Sequence, residues 1–188
     1  MSKDETTTTR PSRGQPVEIL PKLWLVSLAA LKHLSNEEKR SWNVISVLGS
    51  DKLVSMCNFM LQDAKSTKRC RRHIVWKLED KTNSTFFSDE LMCILLVMDE
   101  ALQQKDGDDI LVHCAMGVSR SVTLCATWIM TRQRRPLQET MEMIRMVRPE
   151  AMPNMGFIAS LRALEASDFD VMKARKRLGQ DGRSTGGV

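Results

Sequence analysis

Short apolar runs alternating with amphipathic stretches organise this chain. Residues 18–26 (EILPKLWLV), 42–48 (WNVISVL) and 73–78 (HIVWKL) predict strands. Residues 109–113 (DILVH) hold a continuous apolar run, Ile110, Leu111 and Val112, as a strand buried on both faces requires. Residues 88–104 place Leu91, Ile94, Leu95, Met98, Ala101 and Leu102 at helical spacing, and Ser88, Asp89 and Glu90 suit a helix N-terminus. Further helices are predicted over 118–131, from Pro136 with Leu137, Met141, Ile144 and Val147 on one face, and over 155–166. Strands alternating with helices predict an α/β fold with a central, mostly parallel sheet flanked by helices. Most of the 13 methionines fall on these apolar faces and read as core filler.

The ends break the pattern. Residues 1–15 (MSKDETTTTRPSRGQ) are polar and predict a disordered arm. Residues 16–170 are expected to form one domain, and 171–188 a basic helix end and flexible tail. The length of 188 residues suits one domain with tails. Hydrophobic residues make up 42% and charged residues 27%, which excludes a wholly disordered chain. The net charge of +5 permits an acidic or phosphorylated partner without demanding nucleic acid. No apolar run approaches the roughly 20 residues of a membrane span, and the N-terminus lacks the apolar core of a secretory signal. The five cysteines form no CxxC pair, so the expected compartment is reducing, cytoplasmic and/or nuclear. Cys70 and His73 have half of a zinc spacing, but no second half follows, so no metal site is expected.

Candidate chemistry concentrates in ILVHCAMGVSRS, residues 110–121. A buried strand ends at His113, a loop with Gly117 follows, and a helix begins near Ser119. Such a loop turns backbone N–H groups inward and makes an anion-binding nest at a helix N-terminus. Spacing Cys114 six positions before Arg120 lets Ala115, Met116, Gly117, Val118 and Ser119 wrap a tetrahedral phosphate, with the Arg120 guanidinium adding a bidentate contact. Gly117 allows the tight curve. The same positive field favours the Cys114 thiolate, which can attack phosphorus and form a phosphocysteine. The Ser121 hydroxyl can hydrogen-bond the sulfur and help it leave. The competing reading, a core cysteine and an unrelated surface arginine, leaves the joint presence of these residue types unexplained.

HCAMGVSRS resembles the HCxxGxxRS signature of the cysteine-dependent dual-specificity protein phosphatases. The likeness extends over about residues 16–166. Leu23, Trp24, Leu25 and Val26 resemble the family's opening strand, and VRPEAMPNMGFIASLRALE (147–165) resembles its closing segment. The resemblance implies a single-domain cysteine-phosphatase fold that needs neither cofactor nor metal. It assigns the general acid to Asp80, at the end of HIVWKLED, with Glu79 as the immediate rival and Asp89 a distant one. It gives His113 a structural role in tuning the loop, although by itself the residue could be read as a base. It makes Asn154 a brace of the phosphate loop.

The chain has no tyrosine, so it lacks the Tyr-bearing loop of phosphatases restricted to phosphotyrosine. The implied substrates are phosphotyrosine and phosphoserine or phosphothreonine in proteins, a protein kinase among them. The loop interior carries no Lys or Arg, which weakens an inositol-lipid reading. The alternatives are a phosphoprotein-binding scaffold without turnover, or a phosphatase of phosphoinositide, phosphoglucan or RNA ends. Basic runs at 65–72 and 173–177 read as solvated surface or as docking, nuclear-import or anion-attracting patches. No aromatic residues interleave them, so nucleic acid is not an expected obligate partner.

Overall fold

The computed structural model describes residues 15–36, 40–104 and 107–180, without the side chains of 33–36. The expected N-terminal arm, save Gln15, and residues 181–188 of the expected tail lie outside the described residues.

The strands are β1 (Val17–Leu20), β2 (Leu23–Ser27), β3 (Trp42–Leu48), β4 (Cys70–Lys77) and β5 (Asp109–Cys114). They form one sheet in the order β1-β2-β5-β3-β4. β1 pairs antiparallel with β2, and every other pairing is parallel. The single strand expected over 18–26 is instead a hairpin. Pro21 cannot donate to a ladder, and Lys22 adopts a left-handed φ of 68° that turns the chain back. β5 lies between β2 and β3, and Ile110, Leu111 and Val112 are fully buried. Burying such side chains contributes about 1.5–3 kcal/mol each, which fixes the strand that leads into the candidate loop.

A 3-10 helix, Leu28–Asn36, follows β2, and α1 (Asp51–Met60) and α2 (Gln62–Ser66) join β3 to β4. α3 (Asp89–Gln103) precedes β5; α4 (Arg120–Gln133), α5 (Leu137–Val147), α6 (Met155–Glu165) and α7 (Val171–Arg177) follow it. α3 buries Leu91, Ile94, Leu95, Met98 and Ala101, the face its spacing predicts. One sheet face packs in a core with α3 to α7; the other, with Val44, Leu48 and Leu111, packs against α1, α2 and the 3-10 helix. Val171 and Ala174 of α7 lie in the first core, so packing continues beyond the expected domain limit at 170. The parallel strands β2, β5 and β3 all end near β5's C-terminus, where open α/β sheets place ligand sites.

Candidate active site

β5 delivers Cys114 to the C-terminal end of the central strands, and α4 begins at Arg120, so residues 114–120 form the expected loop. Three of its carbonyls face outward. Ala115 O accepts from Leu28 N at 3.2 Å, Met116 O from Arg148 Nη2 at 3.2 Å, and Val118 O from Met152 N at 2.8 Å. In a trans peptide the following N–H points the opposite way, so the amides of Met116, Gly117 and Ser119 turn inward. Gly117 N donates to Cys114 Sγ at 3.2 Å. This turn requires glycine: φ is +70°, and a Cβ would lie 2.6 Å from Val26 O.

Cys114 lies at the bottom of the loop, 1% exposed. Burial by itself would raise its thiol pKa. The Ser121 hydroxyl at 3.2 Å, the Ser121 amide, the Arg120 charge and the Ser119 amide together outweigh that, and the pKa falls below its usual 9.0. Cys125, inside α4, is the contrast, since full burial drives its thiol the other way. Arg120 is itself buried. Its Nη1 donates to Leu78 O at 3.2 Å, and its Nε, without a hydrogen bond, stands 3.5 Å from Asp80 Oδ2.

The structure brings Asp80 to this loop. Its Oδ1 accepts from Ser119 Oγ at 2.8 Å and from Asn154 Nδ2 at 2.7 Å. Asn154 also caps α6 by accepting from Phe157 N through Oδ1. The rivals stand elsewhere: Glu79 pairs with Lys81 at 2.6 Å, and Asp89 with Arg175 at 2.5 Å. His113 points behind the loop. Its Nε2 is 2.5 Å from Ser46 Oγ and its Nδ1 3.3 Å from Cys114 O. Burial lowers its pKa to about 4, leaving it neutral near pH 7. A neutral ring donating through Nδ1 to the Cys114 carbonyl must accept from Ser46 through Nε2.

Sequence reasoning assigned no role to Arg148, Ser46 or Gly156. Arg148 is buried and holds the Met116 carbonyl outward. The signal was its place before Pro149 in the closing segment. Gly156 lets α6 approach the Asp80 loop, where a Cβ would lie 2.0 Å from Thr82 O. Among the described residues no group of three or more His, Cys, Asp or Glu is arranged to hold a metal ion, and no helix is long and apolar enough to cross a membrane.

A reduced-pKa cysteine thus lies beneath inward amides and beside a buried arginine. The chain belongs to the dual-specificity phosphatase family, whose profile, "Dual specificity phosphatase, catalytic domain", matches residues 34–167. It is 38% identical over 87 residues to dual specificity protein phosphatase 1B of Arabidopsis thaliana, covering 46% of this chain and 49% of that one. It is 31% identical over 160 residues to dual specificity protein phosphatase 5 of Rattus norvegicus, covering 82% of this chain and 36% of that one. The chain therefore spans about half or less of the length of these relatives. Its fold is that of the human tyrosine phosphatase-like serine/threonine/tyrosine-interacting protein (TM-score 0.69, 23% identity, 82% of this chain and 97% of that one).

Proposed function

We propose that the protein hydrolyses phosphotyrosine and phosphoserine or phosphothreonine in phosphoproteins through a phosphocysteine intermediate. The observation that carries this reading is the Cys114 sulfur held under Gly117 N and the Ser121 hydroxyl, with Arg120 and Asp80 above it. Three phosphate oxygens take the inward amides and the Arg120 guanidinium. The thiolate attacks phosphorus; the S–P bond forms as the O–P bond breaks. Asp80 gives its proton to the departing oxygen. A bound dianion draws the Arg120 guanidinium away from Asp80 and onto its own oxygens. In the second step the Asp80 carboxylate takes a proton from water, whose oxygen attacks phosphorus. The S–P bond breaks, and the leaving thiolate receives the Ser121 hydrogen bond.

Ser119 and Asn154 hold Asp80 over the loop, and Ser46 and His113 keep the Cys114 peptide in place behind it. A phosphorylated protein kinase is one substrate of this class. A pull-down with Cys114→Ser combined with Asp80→Ala, followed by identification of the captured phosphoproteins, tests it.

The direct test is turnover of an aryl phosphate and of phosphotyrosyl and phosphothreonyl peptides, with and without EDTA. Wild-type protein is expected to release phosphate from all three, and Cys114→Ser to release none while still binding vanadate. Asp80→Asn is expected to lower kcat by about 10²–10³-fold for a poor leaving group. Turnover that survives Cys114→Ser sinks the proposal.

A further inference from the structure

Nine large apolar side chains are exposed among the described residues, and three of them stand together on segments bordering the phosphate loop. Met116, in the loop itself, is 70% exposed; Met152 is 72% and Met155 70% exposed. Met152 is fixed there by its amide, which donates to Val118 O. Met155 follows Asn154, whose side chain reaches Asp80. The charged neighbours on the same segments are engaged with one another, Lys81 with Glu79 and Arg148 with Glu150. The basic run at 65–72 lies at the other end of the sheet. Arg71 and Arg72 sit at the start of β4, whose eight residues span about 25 Å before the chain reaches the Asp80 loop. They pair there with Asp108 and Glu100.

We propose that Met116, Met152 and Met155 form an apolar rim that selects phosphoprotein segments with apolar side chains flanking the phosphorylated residue. The inference rests on the phosphate-ester reading of the loop and names its substrate class. Methionine suits such a rim, because its unbranched, polarizable side chain adapts to differently shaped apolar partners. Acidic flanks would lie against apolar surface, and the cations on these segments, Lys81 and Arg148, already carry acidic partners. A phosphoinositide in a bilayer calls for a basic collar at the membrane, and the 65–72 run is too far from the mouth to supply one.

The test uses labelled phosphotyrosine-mimetic peptides whose difluoromethylphosphonate cannot be hydrolysed, with leucine or glutamate on both sides of the mimetic. Fluorescence anisotropy reads affinity, inorganic phosphate serves as competitor, and aryl phosphate turnover is measured alongside. The leucine-flanked peptide is expected to bind about tenfold more tightly, as burial of one large apolar side chain predicts. Met152→Gln with Met155→Gln is expected to bring the two peptides within about twofold of each other while aryl phosphate turnover is unchanged. Both side chains are mostly in solvent, so folding is not at stake. Equal or tighter binding of the glutamate-flanked peptide overturns the proposal, as does a preference that survives the double substitution. Tighter binding to phosphatidylcholine vesicles containing a phosphoinositide also overturns it. Aryl phosphate turnover without flank preference removes this inference alone. Absence of both turnover and phosphate competition removes the underlying site reading as well.

Discussion

Cys114 is buried, and a buried thiol ordinarily resists ionisation. The Ser121 hydroxyl is the first of the contacts that reverse this tendency. Ser121→Ala leaves the loop amides and Arg120 in place and removes one hydrogen bond to the charged sulfur. Such bonds contribute about 1.5–3 kcal/mol, so kcat/KM at the acid end of the profile is expected to fall by about 10- to 100-fold. The sign follows from the direction of the change. The Cys114 pKa rises, less thiolate is present at low pH, and the acid limb of the pH–rate profile moves upward. A pH profile of kcat/KM with an aryl phosphate, together with iodoacetate alkylation rates across the same range, reads this. An unchanged acid limb would show that Ser121 acts only in the second step, on the leaving thiolate.

Gly156 controls how two elements meet. α6 opens at Met155, and the Asp80 loop lies directly against it at Thr82. Phe86, fully buried, anchors the far end of that loop between Trp76 and Phe157, with ring centroids 5.4 and 5.5 Å away. Gly156→Ala cannot be accommodated at 2.0 Å from a backbone oxygen, so the loop must shift and carry Asp80 with it. The expected outcome is a fall in kcat of about tenfold or more for poor leaving groups, with iodoacetate alkylation of Cys114 unaltered. Parallel loss of alkylation would instead place the damage in the phosphate loop. This contact was invisible in the sequence, where Gly156 is a single glycine two positions after Asn154. The linear elements were legible, because β5 is a continuous apolar run and α3 repeats its apolar face over four turns. α1 was not, because Cys57 is the residue it buries and its remaining face is largely in solvent. The hairpin was read as one strand because Pro21 and Lys22 interrupt the apolar run without shortening it. The phosphate loop could be read because its chemistry lies within eight consecutive residues. Arg148 and Ser46 could not, since they reach the loop from other elements and only the fold brings them there.

Behind the site, strands β3, β4 and β5 and helix α1 converge on one buried polar cluster. Ser46 Oγ lies 2.8 Å from His73 Nε2, 2.5 Å from His113 Nε2 and 3.3 Å from Cys57 Sγ. Burial is the main cause that lowers both histidines to about 4, with Lys65 of α2 adding to it at His73, and His73 and Arg120 adding to it at His113. Burial also raises the Cys57 thiol, so every titratable member of the cluster is neutral near pH 7. Unfolded, both histidines titrate near 6.5. Between about 6.5 and 4 the unfolded chain therefore binds protons that the folded chain refuses, and stability falls as pH falls through that window. For His113, which is fully buried, the loss amounts to about 3 kcal/mol once the pH is below 4; His73, partly exposed, contributes less. Global stability is thus expected to be intact above pH 7 and to drop steeply below pH 6, before most carboxylates titrate. Urea unfolding at pH 7.5, 6.0 and 5.0 measures it. His73→Asn can keep a hydrogen bond to Ser46 and removes one of the two titrations, so its stability should decline less between pH 7.5 and 5.0 than that of the wild type. Equal declines in the two proteins would mean that the acid sensitivity originates outside this cluster.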